Sequence, residues 1–296
     1  MKIGVVFPQT EIGTDPGQIR SYAIGIEEAG FNHIVAYDHV VGHRPENAAT
    51  WSNVGPYTDL DQFHEVFVLF SYLAAITSRV EFVTEVLVLP QRSTVLVAKQ
   101  AAELALLSSG RFRLGVGVGW NPEEFRALGM GFDDRGKRVV EQVEILRRLW
   151  SEELTTVHGQ FHTIEACAVN PRPPQPIPIW IGGRAPVVVR RAAAIADGFM
   201  LEHSLAEAPA VIASLKAHLG DIGRDPTQFG LAARIQLREG EVESALEQAR
   251  AWDDAGISHL SLDTMSAGIE VPERHMSLAC SFIRAWEHSG QAGSRL

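Results

Sequence analysis

Ile34-Val35-Ala36-Tyr37-Asp38-His39 is an apolar, β-branched run that stops on an acid and an imidazole. The same pattern recurs along the chain, each time followed by an amphipathic stretch. Val5 to Pro8, Phe82 to Glu85 and Leu114 to Trp120 complete the first half. Ile177 to Gly183, Gly198 to Glu202, Leu231 to Leu237 and His259 to Asp263 form the second. Eight strand-then-helix units predict an α/β fold, a (β/α)8 TIM barrel, with its active site at the carboxyl ends of the strands. Two stretches interrupt the rhythm and are read as insertions after strands 2 and 4. They are residues 40–63, carrying Trp51, Tyr57 and Phe63, and residues 152–176. In the second, Thr155-Thr156-Val157 and Phe161-His162-Thr163 flank a turn and predict a small hairpin. Loops as long as the first are usually functional or mobile.

The chain of 296 residues fits one barrel, which takes roughly 250, so residues 1–296 are read as a single domain. A net charge of -10 argues against nucleic acid, whose phosphates require clustered Lys and Arg. Cys167 and Cys280 lie too far apart in sequence for a disulfide framework or a CxxC site and are expected to be buried spectator thiols. The start, Met1-Lys2-Ile3-Gly4-Val5, reads as a strand, not a secretion signal, and the apolar runs are too short to span a bilayer. No membrane role and a cytoplasmic location are therefore expected. Asp15-Pro16-Gly17-Gln18, Asn121-Pro122-Glu123-Glu124 and Asp225-Pro226-Thr227-Gln228 each offer a capping side chain, a proline and then Glu or Gln, predicting three helix starts.

The strand ends supply the chemistry. His39 can give or take a proton near neutral pH, and Asp38 precedes it. Gly115-Val116-Gly117-Val118-Gly119-Trp120 fails the dinucleotide-binding spacing, because residue 120 is Trp. Alternating glycines instead let a flat group approach the backbone. Ile181-Gly182-Gly183-Arg184-Ala185-Pro186 places two glycines and an Arg before a helix, a pattern that suits an anion such as phosphate. Thr84-Glu85 and Glu202-His203 are further polar pairs at strand ends. No histidine spacing matches a metal motif, so no metal is expected, and no G-x-S-x-G anchors nucleophilic hydrolysis.

Taken together, these segments resemble the bacterial luciferase-like family of flavin- and deazaflavin-dependent oxidoreductases. The likeness runs through Tyr37-Asp38-His39-Val40, Val86 to Ser93, Val97 to Ala102, Leu107 to Phe112, Leu114 to Trp120, Glu123-Glu124-Phe125, Pro178 to Arg184 and Ala196 to Phe199. The subgroup it is most similar to uses coenzyme F420. The resemblance implies a ring in the barrel mouth against a bulge at the third strand, often with a non-proline cis peptide. Thr84, Glu85 and Val86 would lie behind the ring, and Gly117, Val118, Gly119 and Trp120 along one edge. Gly182, Gly183 and Arg184 would hold the phosphate. His39 would donate the proton, with Asp38 orienting it. Phe7, Trp51, Tyr57 and Glu202 would face the small-molecule substrate or form its lid. Family members are commonly homodimers. An FMN-dependent monooxygenase using O2 stands as the close alternative, and a barrel hydrolase or lyase without a redox cofactor as the distant one.

Overall fold

The computed structural model describes residues 1–44, 57–269 and 271–293. Its barrel strands are β1 (Lys2–Val6), β2 (His33–Ala36), β3 (Glu81–Thr84), continued after a break by β4 (Leu87–Val88), and β5 (Phe112–Gly117). An antiparallel hairpin, β6 (Thr155–His158) with β7 (Thr163–Cys167), comes next in the chain. β8 (Ile179–Gly183), β9 (Gly198–Leu201), β10 (Gly230–Gln236) and β11 (His259–Asp263) complete the barrel. All barrel pairings are parallel: β1 lies between β2 and β11, β3 pairs with both β2 and β5, and β5 leads through β8, β9 and β10 back to β11. The cylinder is therefore closed, as the eightfold rhythm predicts, and both insertions fall where expected.

The strands are buried almost throughout, which is why they read as continuous apolar runs and not as alternating ones. Helices α1 (Pro16–Glu28), α2 (Val66–Ile76), α3 (Thr94–Leu107), α4 (Pro122–Ala127), α5 (Arg135–Ser151), α6 (Pro186–Ile195), α7 (Ala208–Asp221), α8 (Val242–Asp254) and α9 (Pro272–Gly293) surround them. Among the described residues, no helix is long and apolar enough to cross a membrane.

Two of the three capping motifs start helices. The Asp15 carboxylate accepts from the N–H groups of Gly17 and Gln18, and the Asn121 side chain from those of Glu123 and Glu124. The third is a correction. Asp225 caps a single 3-10 turn, Pro226–Gln228, and not a helix, because Phe229 is buried and β10 begins at Gly230. The hairpin is pinned at its turn by one carboxylate. Glu141 of α5 accepts from the backbone N–H of Gln160 and Phe161 and pairs with His162 at 2.8 Å.

Candidate active site

A cavity of about 480 Å³ opens at the carboxyl ends of the strands, a size typical of small-molecule sites. His39, just beyond β2, lines it. The imidazole is held on one edge: its Nδ1 lies 3.4 Å from Glu124 Oε2. Glu124 is placed by the Asn121 cap of α4, and its Oε1 accepts from the Val40 N–H at 2.6 Å. Burial pushes this carboxyl up, but the hydrogen bonds from His39 and from the Val40 N–H outweigh it, so Glu124 stays below the usual range and ionised. Tyr57 lies over the imidazole, with ring centroids 3.7 Å apart. Phe63 and Trp120 meet it edge-on. With Nδ1 turned to Glu124, Nε2 is the nitrogen left for the cavity.

Asp38 does something other than the expected orienting of His39. Its Oδ1 accepts from Arg92 at 2.5 Å, while Oδ2 accepts from Arg92 Nε at 3.1 Å and from the Val88 N–H at 3.0 Å. Arg92 also reaches Glu65, the N-cap of α2, at 3.1 Å. Asp38 thus fastens the end of β2 to the second half of the broken strand, and the acid beside His39 is Glu124.

The break between β3 and β4 coincides with a cis peptide bond, Glu85–Val86, as the resemblance implies. Val86 faces the cavity between two glycines. A Cβ on Gly117 would collide with Val86 Cγ2, and one on Gly182 would stand 2.7 Å from its Cγ1. These positions must stay bare for Val86 to present a flat wall. Val118, Gly119, Trp120, Gly183, Tyr57 and Glu202 also line the cavity.

Three expected site residues do not line it. Phe7 is fully buried, its ring 5.5 Å from that of Tyr22, and belongs to the core. Thr84 is also buried, and its hydroxyl donates to the Gly115 carbonyl at 2.7 Å, bracing adjacent strands. The Arg184 side chain is exposed, pairing with Glu207 at 2.7 Å and donating to the Glu202 carbonyl at 3.4 Å. Trp51 lies outside the described residues.

The sequence reading missed a polar cluster on the wall formed by β2, β10 and β11. The Tyr37 hydroxyl donates to Asp263 at 2.8 Å and accepts from Arg234 at 2.6 Å. Arg234 also lies 3.7 Å from Glu202 and 3.8 Å from Asp263. Glu85, only 8% exposed, faces this cluster, and its carboxyl makes no hydrogen bond to any described residue. Burial is the main reason its carboxyl is pushed up to about 7. Glu202 and Asp263 act the same way, against the guanidinium groups of Arg234 and Arg113.

A stability prediction follows from Glu85. The folded chain holds this proton to higher pH than the unfolded one, so Glu85 contributes stability below about pH 4.5 that is lost as pH rises to about 7. Glu85→Gln should therefore be more stable than the parent at pH 8, by roughly 3 kcal/mol at most, and should lose that advantage at pH 4. Denaturant unfolding at the two pH values measures the difference. Equal gains at both would place the effect outside ionisation.

The fold and the site define a class: the profile of the luciferase-like monooxygenase family matches residues 1–277, and the chain belongs to that family. Particular relatives carry different names. An uncharacterised protein of Mycobacterium tuberculosis H37Rv is 45% identical over 144 residues, 49% of this chain and 50% of that protein. The chain thus spans about half the length of that relative in the match. An F420-dependent glucose-6-phosphate dehydrogenase of Kineococcus radiotolerans is 30% identical over 251 residues, covering 80% of this chain and 68% of the relative. Among solved structures, an F420-dependent secondary alcohol dehydrogenase in complex with an F420-acetone adduct superposes with a TM-score of 0.81. It is 17% identical and covers 96% of this chain and 98% of its own, a likeness of fold.

Proposed function

We propose that this protein is an oxidoreductase that transfers a hydride between coenzyme F420 and a small organic substrate, with His39 handling the accompanying proton. The observation that carries the reading is one cavity holding both a cavity-facing imidazole and a flat wall of Val86 between Gly117 and Gly182. The residues present fit a planar coenzyme. Val86, Gly117, Val118, Gly119 and Trp120 would border the ring. Gly182 and Gly183, ahead of the N-terminus of α6, would take the phosphate on backbone N–H groups. Arg184 follows these glycines, its guanidinium in an exposed pair with Glu207 that a phosphate could share.

When bound, a deazaflavin supplies a two-electron hydride carrier. The chain's own residues do the remainder. Glu124 fixes the His39 ring through Nδ1 and leaves Nε2 to exchange a proton with substrate. In the oxidising direction Nε2 would take up the O–H proton of a carbinol, the hydride acceptance being the chemistry the coenzyme would supply when held by the Val86 wall, and a carbonyl would be left. Reduction is the reverse. Tyr57, Phe63 and Trp120 cover the imidazole and exclude water from that exchange. Assembly as a homodimer and a cytoplasmic location belong to the same reading, on the family resemblance.

Titrating the purified protein with each coenzyme tests it. Micromolar binding of F420 and none of FMN is expected. The opposite result would replace the proposal with an FMN-dependent monooxygenase.

A further inference from the structure

Charge is unevenly divided around the cavity. Five carboxylates, Asp38, Asp61, Glu85, Glu202 and Asp263, line it against one guanidinium, Arg234. Asp38 is neutralised from behind by Arg92. Arg234 is already shared among the Tyr37 hydroxyl, Glu202 and Asp263, so an incoming anion would have to strip it from partners it already has. The Gln236 carboxamide is spent as well, donating to the carbonyls of Asp263 and Met265. The donors on this wall are thus engaged. What it offers instead is an acceptor: the carboxyl of Glu85, a residue 8% exposed, lines the cavity without a hydrogen-bonding partner among the described residues. A buried polar group of this kind is costly unless something completes it.

We infer that this wall is the substrate's subsite, and that it takes an uncharged or cationic molecule presenting a hydroxyl or amine to Glu85 while rejecting phosphate esters. The inference rests on the coenzyme reading above, which assigns the Val86 wall and the double-glycine turn to the coenzyme. A donor hydrogen would complete the Glu85 carboxyl. An ammonium would in addition reduce the repulsion among Glu85, Glu202 and Asp263. A phosphate would meet those three acids with no free cation beside them. The 30% identical relative is named for a sugar phosphate, so the inference separates this chain from that relative by substrate charge.

Three sugars of one ring shape serve as probes: glucosamine, glucose and glucose 6-phosphate. Each is titrated by calorimetry at pH 7.5 into the protein first saturated with F420. Loss of coenzyme fluorescence on binding is read beforehand, and its failure would count against the coenzyme reading alone. The same titrations are then run on the coenzyme-free protein, so the subsite is examined in either case. Glucosamine is expected to bind at least tenfold more tightly than glucose 6-phosphate, with glucose between them. Glu85→Gln, which keeps the shape and removes the charge, should narrow the gap between amine and phosphate at least threefold. Glucose 6-phosphate binding as tightly as glucosamine would overturn the inference. So would glucosamine that does not bind at 50 mM, or a gap unchanged in Glu85→Gln.

Discussion

Replacing His39 by alanine should cut turnover by roughly 10²–10⁴-fold, the range for a lost general acid, while coenzyme affinity stays within a few-fold. The asymmetry follows from position. His39 lines the cavity beside Tyr57, Phe63 and Trp120, whereas the wall assigned to the coenzyme is built from Val86, Gly117 and Gly182. The imidazole packs with Tyr57, Phe63 and Trp120, rings that can settle onto one another when it is removed. Single-turnover reduction of F420 with the best substrate from an alcohol panel measures the chemical step, and fluorescence titration measures affinity. Unchanged turnover would remove His39 from the mechanism. A matched collapse of affinity would recast it as part of the coenzyme wall.

Asp38→Ala should behave differently, losing about 3–5 kcal/mol of stability, as expected when one partner of a buried ion pair is deleted. The side chains of Asp38 and Arg92 are 1% and 14% exposed, so among the described residues the guanidinium left behind keeps only the Glu65 carboxylate, itself partly in solvent. The Val88 N–H loses its acceptor at the same time. Equilibrium urea unfolding reads the loss directly. A variant of full stability whose turnover falls as far as that of His39→Ala would restore the direct role that sequence order suggests for Asp38.

The contrast between these neighbours shows what the sequence could and could not reveal. Strand positions were legible because a barrel strand buried on both sides must be apolar throughout, and because its last residue faces the mouth. His39, Glu85, Glu202 and the Gly117–Trp120 run were found that way. The partner of Asp38 was not, because Arg92 lies 54 residues away and only the closed barrel brings it near. Glu124 was in view as the last residue of a capping motif. In the structure it turns away from its own helix start to accept from Val40 and His39, a tertiary contact that local pattern does not encode. Arg234 and Asp263 carried a usable signal: each is a charge in or at the end of an apolar run that had already been read as a strand. Phe7 and Thr84 obeyed the strand-end rule yet went to the core, because alternation along a strand sends neighbouring side chains to opposite sides. The Asp225 motif had a sound cap but no helix-length stretch before the next buried strand.

Tyr37, Asp38 and His39 each serve a different wall: the Arg234–Asp263 cluster, the Arg92 anchor and the Glu124-held imidazole. Inserting or deleting one residue after β2 would misdeliver all three side chains at once, handing an acid to the place of a ring and a ring to the place of an acid. Chain length is therefore frozen at this joint. Efforts to retarget the site by transplanting rim segments from relatives should cut downstream of Val41 and keep the tripeptide in its native frame.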